Sequence, residues 1–275
     1  MEKIGNMHLY IKDGVGFLKF PELEKFDFVN HAFSTKLGGI SKDEFASMNL
    51  SFSSKDKREN VEENYKLFCK AAGFNEETLV SSSQVHETFV RKVSTENHGC
   101  GIWREQEKIG VDGLSTDTPD TTLVTYYADC VPIYFIDKEK KCIALSHAGW
   151  RGTVASMAAK TIDHLVENYG SDIKDIYCAI GPSICRVCYE VDDVVADKVK
   201  LLPIDISDVL FPKGNGKYQL DLWQCNKKIL LYKGVPEENI VVSEVCTRCN
   251  SNLLYSHRVM GSKRGGLAAF MSIKK

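Results

Sequence analysis

Three residues carry side chains able to ligate a metal or to act as nucleophile and base. They are His86 in SSSQVHETF, Cys130 in YADCVP and His147 in LSHAGWRG. They stand 44 and 17 residues apart, so no local clip such as HExxH joins them and any meeting must be made by the fold. Apolar runs precede Cys130 and His147, and proline or small residues follow closely, leaving room around each side chain. Two imidazoles and one thiolate suit a tetrahedral zinc whose fourth position stays open for water or substrate, the pattern of a catalytic site. Zinc would hold Cys130 deprotonated and lower the pKa of bound water toward ~7. Asp129, beside the cysteine, is positioned to accept an imidazole N–H or to carry a proton.

Two other chemistries use the same residues. Cys130 and His147 make a thiolate–imidazolium pair for acyl transfer, since the thiolate is the nucleophile and a nearby base generates it. His86 would then take the orienting role usually given to Asn or Asp, which makes a cysteine hydrolase the less economical reading. Two His and one Cys also match a blue-copper site, which usually adds a weak axial Met. A multicopper oxidase needs many more imidazoles, typically in His-x-His pairs. Seven histidines and no such pair exclude the multicopper laccase architecture. The plain alternative is that each residue is packed or hydrogen-bonded behind its strand and does nothing else.

The elements that must deliver these residues can be read from periodicity. KDGVGFLKF, FDFVNHAFST and TLVSSSQVHETFVRKV read as strands, being rich in β-branched and aromatic residues. DKRENVEENYKLFCKAAGF places Val61, Tyr65 and Phe68 on one face of a helix that stops at Gly73. TTLVTYYA, PIYFID and KCIALSH are short apolar strands, with IDKEKKC as a hairpin connection. GTVASMAAKTIDHLVENYG predicts a buried helix ending at Gly170. DIYCAIGP follows as a strand, DDVVADKVKLL and LDLWQCNKKILLYKG as helices, the latter N-capped by Asp221. IVVSEVCT and GGLAAFMSIKK close the chain as strands. Strands and helices mix without strict βαβ alternation, which predicts one α+β domain over residues 1–275, with layered mixed or antiparallel sheets and outer helices.

Composition narrows the function classes. The formal charge of −2 leaves no excess of Lys and Arg to neutralise phosphates, arguing against nucleic-acid or polybasic membrane partners. His257 to Arg264 forms a local basic spot. The N-terminus lacks a signal-peptide pattern, and no apolar run approaches the roughly 20 residues of a membrane helix. Ten cysteines without a secretory signal therefore predict reduced thiols in a soluble cytoplasmic protein. Cys185/Cys188 and Cys246/Cys249 form two Cys-x-x-Cys pairs with 57 residues between them, far more than the about 15–20 of a compact zinc ribbon. Unligated cysteines are the reading here, with a second zinc as the alternative. Oligomerisation leaves no signal beyond ordinary surface helices, so a monomer or small homo-oligomer is expected.

HAFSTKLGGIS (31–41), MNLSF (48–52), SQVHETFV (83–90), VDGL (111–114), ADCVPIYFID (128–137), HAGWRGT (147–153), IGPSICRVCYEV (180–191) and a C-terminal CT…YSHR pattern occur in order. Together they resemble the YfiH/YlmD laccase-domain family, once called polyphenol oxidoreductases and now regarded as purine nucleoside phosphorylases. The resemblance covers about residues 28 to 272. It implies a YfiH-like layered sandwich, with zinc held by His86, Cys130 and His147. It further implies phosphorolysis of adenosine, inosine and methylthioadenosine, with adenosine deaminase activity beside it. Purine nucleosides and inorganic phosphate would then be the partners.

On that reading Arg151 and Lys36 would supply positive charge for phosphate or for the ribosyl transition state, with Cys130 and Asp129 at the reacting centre. Asn49 and Gln84 would hydrogen-bond substrate. The plain alternatives are Arg151 packed on Trp150, Lys36 solvated, and Asn49 and Gln84 capping loops. Two departures stand out. Lys36 replaces the family's usual Arg, keeping charge but losing the bidentate fork that matches phosphate. Ser256-His257-Arg258-Val259 replaces a usual Tyr-Arg-Arg. The chain also lacks the His-x-Glu…Pro-Cys-x-x-Cys signature of cytidine-type deaminases.

Overall fold

VPIYFID and CIALSHA are buried at every position, a pattern that suits strands covered on both faces. The computed structural model describes residues 2–106 and 109–275 and supplies both covers. Val131–Asp137 and Cys142–Ala148 pair antiparallel as the hairpin that IDKEKKC predicts. They lie at the centre of a six-stranded sheet ordered Ile240–Val242, Ile176–Ile180, Val131–Asp137, Cys142–Ala148, Gly113–Thr116, Val90–Lys92. A seven-stranded sheet runs Glu2–Ile4, Met7–Lys12, Val15–Lys19, Val29–Ser34, Leu267–Ile273, Thr122–Tyr127, Leu79–Ser81.

Side-chain alternation fixes how the layers stack. Tyr134 and Ile136 face Phe33, Leu123 and Met271 of the larger sheet, so the two sheets share one core. Ile133 and Phe135 point the other way, onto helices Met157–Tyr169 and Leu222–Lys233 and a small sheet of Glu190–Asp192, Lys217–Leu220 and Leu210–Gly214. On the outer face of the larger sheet, Ala268 and Phe270 meet Val61, Tyr65 and Phe68 of helix Arg58–Ala72. Phe68 and Phe270 stack with ring centroids 4.5 Å apart, and burying a ring of that size contributes about 2–3 kcal/mol. The result is helix, sheet, sheet, helix. Pairing is antiparallel apart from three parallel pairs among the described strands, so the mixed α+β layering expected from the sequence is the observed class.

Four elements depart from the sequence reading. KDGVGFLKF contains a turn, because Asp13 and Gly14 both take positive φ (52° and 80°) and close a tight hairpin. TLVSSSQVHETFVRKV is two short strands in different sheets, Leu79–Ser81 and Val90–Lys92, and the loop between them carries His86. The helix predicted over 152–170 breaks at Ser156, φ 60°, into Trp150–Val154 and Met157–Tyr169. No Gly or Pro marks that break. Beside it, Thr153 Oγ1 accepts a hydrogen bond from Asn226 Nδ2 at 3.0 Å, which ties the first piece to helix Leu222–Lys233. IVVSEVCT is a strand only over Ile240–Val242. Asp221 caps as its position predicts, its carboxylate accepting from Gln224 N at 3.0 Å. No helix among the described residues is long and apolar enough to cross a membrane.

Candidate metal centre and cavity

The chain changes sheets at Ala128-Asp129-Cys130. Thr122–Tyr127 belongs to the seven-stranded sheet and Val131–Asp137 to the six-stranded one, with Asp129 at φ 85° making the corner. That corner sets Cys130 one residue before Val131, which pairs with Ala148, while His147 pairs with Pro132. Hairpin register therefore brings the thiol and the second imidazole together. His86 arrives from the loop between the split strands at φ 64°, a left-handed conformation that costs a non-glycine residue about 1 kcal/mol or more.

Asp112 holds this arrangement in place. It is fully buried, and its carboxylate accepts backbone N–H bonds from Val85 (3.1 Å), His86 (3.0 Å) and Glu87 (2.9 Å). The same carboxylate takes the Nδ1–H of His147 at 2.8 Å, and the Asp112 carbonyl accepts from His147 N at 2.7 Å. One side chain thus offsets the strain of the His86 loop and fixes the His147 tautomer, leaving Nε2 for the site. Burial would push the Asp112 carboxyl up, but His147 and these N–H donors hold it below its ordinary value.

The metal-binding atoms of His86, Cys130 and His147 lie within 4.8 Å of one another, and the two rings meet edge to face at 4.9 Å. His86 is exposed, Cys130 half-buried and His147 buried, so the cluster opens on one side. Burial alone would raise the Cys130 thiol. The charges and hydrogen bonds of His147 and His86 overcome it and bring it down to about 6. Burial pulls His147 the other way, yet the Cys130 charge and Asp112 lift it to about 9. Space is reserved as well. A Cβ on Gly149 would come 2.9 Å from Cys130 Sγ and 3.3 Å from His86 Cδ2. Donor set, clearance and the Asp112 support all fit one borderline-soft divalent ion with a free coordination position.

The cluster lies on the wall of a cavity of about 740 Å³, within the size range of small-molecule sites. Arg151, Asp129 and Gln84 line it, and Lys36 and Asn49 do not. Arg151 stacks on Trp150 at 4.3 Å, the packing foreseen for it, while still facing the cavity. Asp129 is not the imidazole acceptor, a role that falls to Asp112. Its carboxylate instead accepts from Thr247 Oγ1 at 2.6 Å and Arg258 N at 2.7 Å. Gln84 extends a ladder: its amide accepts from Tyr126 N (2.6 Å) and donates to Tyr126 O (2.9 Å), where the backbone has already left the sheet. Lys36 is turned away, donating to Ser251 O at 3.1 Å over the Tyr255 ring. Asn49 is buried with its amide used internally by Gly266 N, Ser51 N, Ser54 and Asp56.

Sequence reasoning missed Asp112 and Arg264. VDGL was visible as a motif without a role, and the basic spot at 257–264 pointed toward Arg264 without placing it. His257, Arg258 and Arg264 all line the cavity. Arg264 Nε is buried without a hydrogen-bond partner among the described residues, and its Nη1 donates to Gly265 O at 2.9 Å. Burial holds this guanidinium below its ordinary value, against the opposing charges of Asp129 and Cys130. The four cysteines 185, 188, 246 and 249 also gather, with all sulfurs within 4.8 Å of one another.

Fold and site together define a class. Residues 30–274 match the family described as multi-copper polyphenol oxidoreductase laccase, and the chain belongs to that family. It is 35% identical over 244 residues to the purine nucleoside phosphorylase YlmD of Bacillus subtilis (strain 168), covering 88% of each chain. Similarity also extends to the adenosine deaminase RL5 from an unknown prokaryotic organism, 32% identical over 252 residues, covering 89% of this chain and 96% of that one. The crystal structure of YlmD from Geobacillus stearothermophilus superposes with a TM-score of 0.92 at 34% identity, over 99% of this chain and 100% of that chain.

Proposed function

We propose that this chain is a zinc-dependent purine nucleoside phosphorylase acting on adenosine, inosine and methylthioadenosine, with adenosine deamination as a side activity. The observation that carries the proposal is the His86–Cys130–His147 cluster opening on a cation-lined cavity, in a chain related to proteins named for nucleoside chemistry. Residues 1–275 would act as one catalytic domain, in the cytoplasm.

In phosphorolysis a phosphate oxygen forms a bond to the anomeric carbon as the glycosidic C–N bond breaks. The purine leaves with the bonding pair and gains a proton, giving free base and ribose 1-phosphate. Zinc, when bound, supplies Lewis-acid stabilisation of developing charge and keeps the Cys130 sulfur as thiolate. The chain's own residues do the rest. Arg264, with an unpartnered Nε, and Arg151 hold the anion. Tyr127 and Tyr189 line the cavity as aromatic surfaces for the base. Asp112 keeps His147 and the His86 loop aimed so that no reorganisation is needed at the moment of reaction. Copper remains the other metal for the same donors, tested by metal analysis and oxygen dependence.

A cysteine-nucleophile hydrolase gains one specific observation: Asp112 supplies the carboxylate that orients His147 toward Cys130. A second imidazole on the same sulfur, held by the same carboxylate, is what that mechanism leaves unused. Chromatography of inosine and adenosine reactions, with and without phosphate, separates the readings. Phosphate-dependent release of base and ribose 1-phosphate, lost in Cys130→Ala and on chelation, supports phosphorolysis. Turnover that survives chelation but dies on thiol alkylation supports the hydrolase.

A further inference from the structure

We propose that Cys185, Cys188, Cys246 and Cys249 hold a second metal, a structural zinc ion that staples two loops behind the cavity wall. Their 57-residue separation hides this from a spacing rule, and the fold removes the obstacle. Ile176–Ile180 and Ile240–Val242 are parallel neighbours, so the loops that follow them leave the same sheet edge side by side. A parallel bridge joins Ser183 to Cys246, with Ser183 N donating to Val245 O at 3.2 Å and Thr247 N to Ser183 O at 3.1 Å. Each loop then contributes one Cys-x-x-Cys pair.

The geometry suits a single ion. Four thiolates around one zinc at about 2.3 Å sit about 3.8 Å apart, the edge of a tetrahedron. All four sulfurs here lie within 4.8 Å of one another, and Cys188 and Cys249 sulfurs are 3.5 Å apart. That bound is too tight for ligands distributed over several irons of a cluster. Cys246 Sγ accepts N–H bonds from Cys185 (3.3 Å) and Cys249 (3.4 Å), the kind of outer support that stabilises a ligating thiolate. The set runs from buried Cys246 to exposed Cys249, so an ion can enter from solvent. Four protein ligands leave no open position, which makes the site structural.

The staple has something to hold. Ile184 N donates to the Asp129 carbonyl at 3.0 Å, and Thr247 Oγ1 to the Asp129 carboxylate at 2.6 Å. Both donors are neighbours of ligating cysteines, and Asp129 immediately precedes Cys130. Tyr189, next to Cys188, and Ile184 line the cavity. Fixing the two loops therefore fixes the sheet-changing corner that carries the catalytic-site thiol.

The test is a metal count on full-length protein purified under reducing conditions and dialysed free of loose metal. Wild type is expected to retain about two zinc ions per chain, and Cys130→Ala and Cys249→Ser about one each. In Cys130→Ala, cobalt substituted for zinc should give the intense near-ultraviolet thiolate-to-cobalt charge transfer of a tetrathiolate, absent from Cys130→Ala/Cys249→Ser. A wild-type count of one that vanishes in Cys130→Ala overturns the proposal. So does iron at this position, or a disulfide within the four cysteines in place of metal. The wild-type count stands even if a variant fails to fold. Failure of the phosphorylase reading would leave it unchanged, because it measures metal rather than turnover.

Discussion

The corner at His86, Cys130 and His147 and the cluster at Cys185, Cys188, Cys246 and Cys249 are built by the same device. In each, neighbouring strands deliver chelating side chains to a shared edge. They differ in what completes them. The first has three donors, mixed nitrogen and sulfur, beside a cavity of about 740 Å³ and a buried carboxylate that holds two of the donors. The second has four sulfurs and a bridged backbone. An open, asymmetric, carboxylate-braced site suits chemistry, and a closed, symmetric one suits anchoring.

Substitutions at the first site and along its cavity should therefore change turnover, metal affinity or anion binding. Cys130→Ala removes a donor and the thiolate together. Base release is expected to fall on the order of 10³-fold, measured by chromatography of inosine reactions. Asp112→Asn presents an amide to three backbone N–H donors that need an acceptor. Metal affinity is expected to drop about 10- to 100-fold, read by competition with a chromophoric chelator. Thermal denaturation should show a loss of about 1–3 kcal/mol alongside it. Arg264→Gln removes the cation whose Nε is unpartnered. The KM for phosphate should rise about tenfold with kcat changed less, consistent with about 1.4 kcal/mol of anion binding.

A smaller effect concerns pH. In the metal-free chain the Cys130 thiol sits at about 6, so its alkylation should accelerate as pH rises through that value and level off above it. His147→Gln removes the main counter-charge and should move the midpoint upward. An unchanged midpoint would show that His147 does not set the thiolate. The smallest change belongs to Lys36→Ala. Because Lys36 binds Ser251 O and lies off the cavity, KM and kcat should stay within about threefold of wild type. A large rise in KM for phosphate would return Lys36 to the site.

What was legible in the sequence follows from the range of the signals. The strand ends that carry Cys130 and His147 announce themselves because a hairpin is local and its register can be counted. The layered α+β class is legible for the same reason, since apolar runs at every position demand two covers. VSSSQVHETFV reads as one continuous strand with His86 inside it. Its loop is held by bonds to Asp112, 26 residues further on, and by the Gln84 amide on Tyr126. Lys36 and Asn49 stand in motif blocks, but which way a side chain faces depends on Ser251, Tyr255 and Gly266, more than 200 residues distant. The four cysteines failed a spacing rule because that rule counts residues along the chain, whereas the Ser183–Cys246 bridge measures distance across the sheet edge.

The decisive measurement strips the purified chain of metal and restores one ion at a time while following purine release from inosine in phosphate buffer. Activity should vanish on chelation and return with zinc in wild type, yet never return in Cys130→Ala. Release that persists without metal, or that returns only with copper and oxygen, would contradict a zinc-bearing corner at His86, Cys130 and His147.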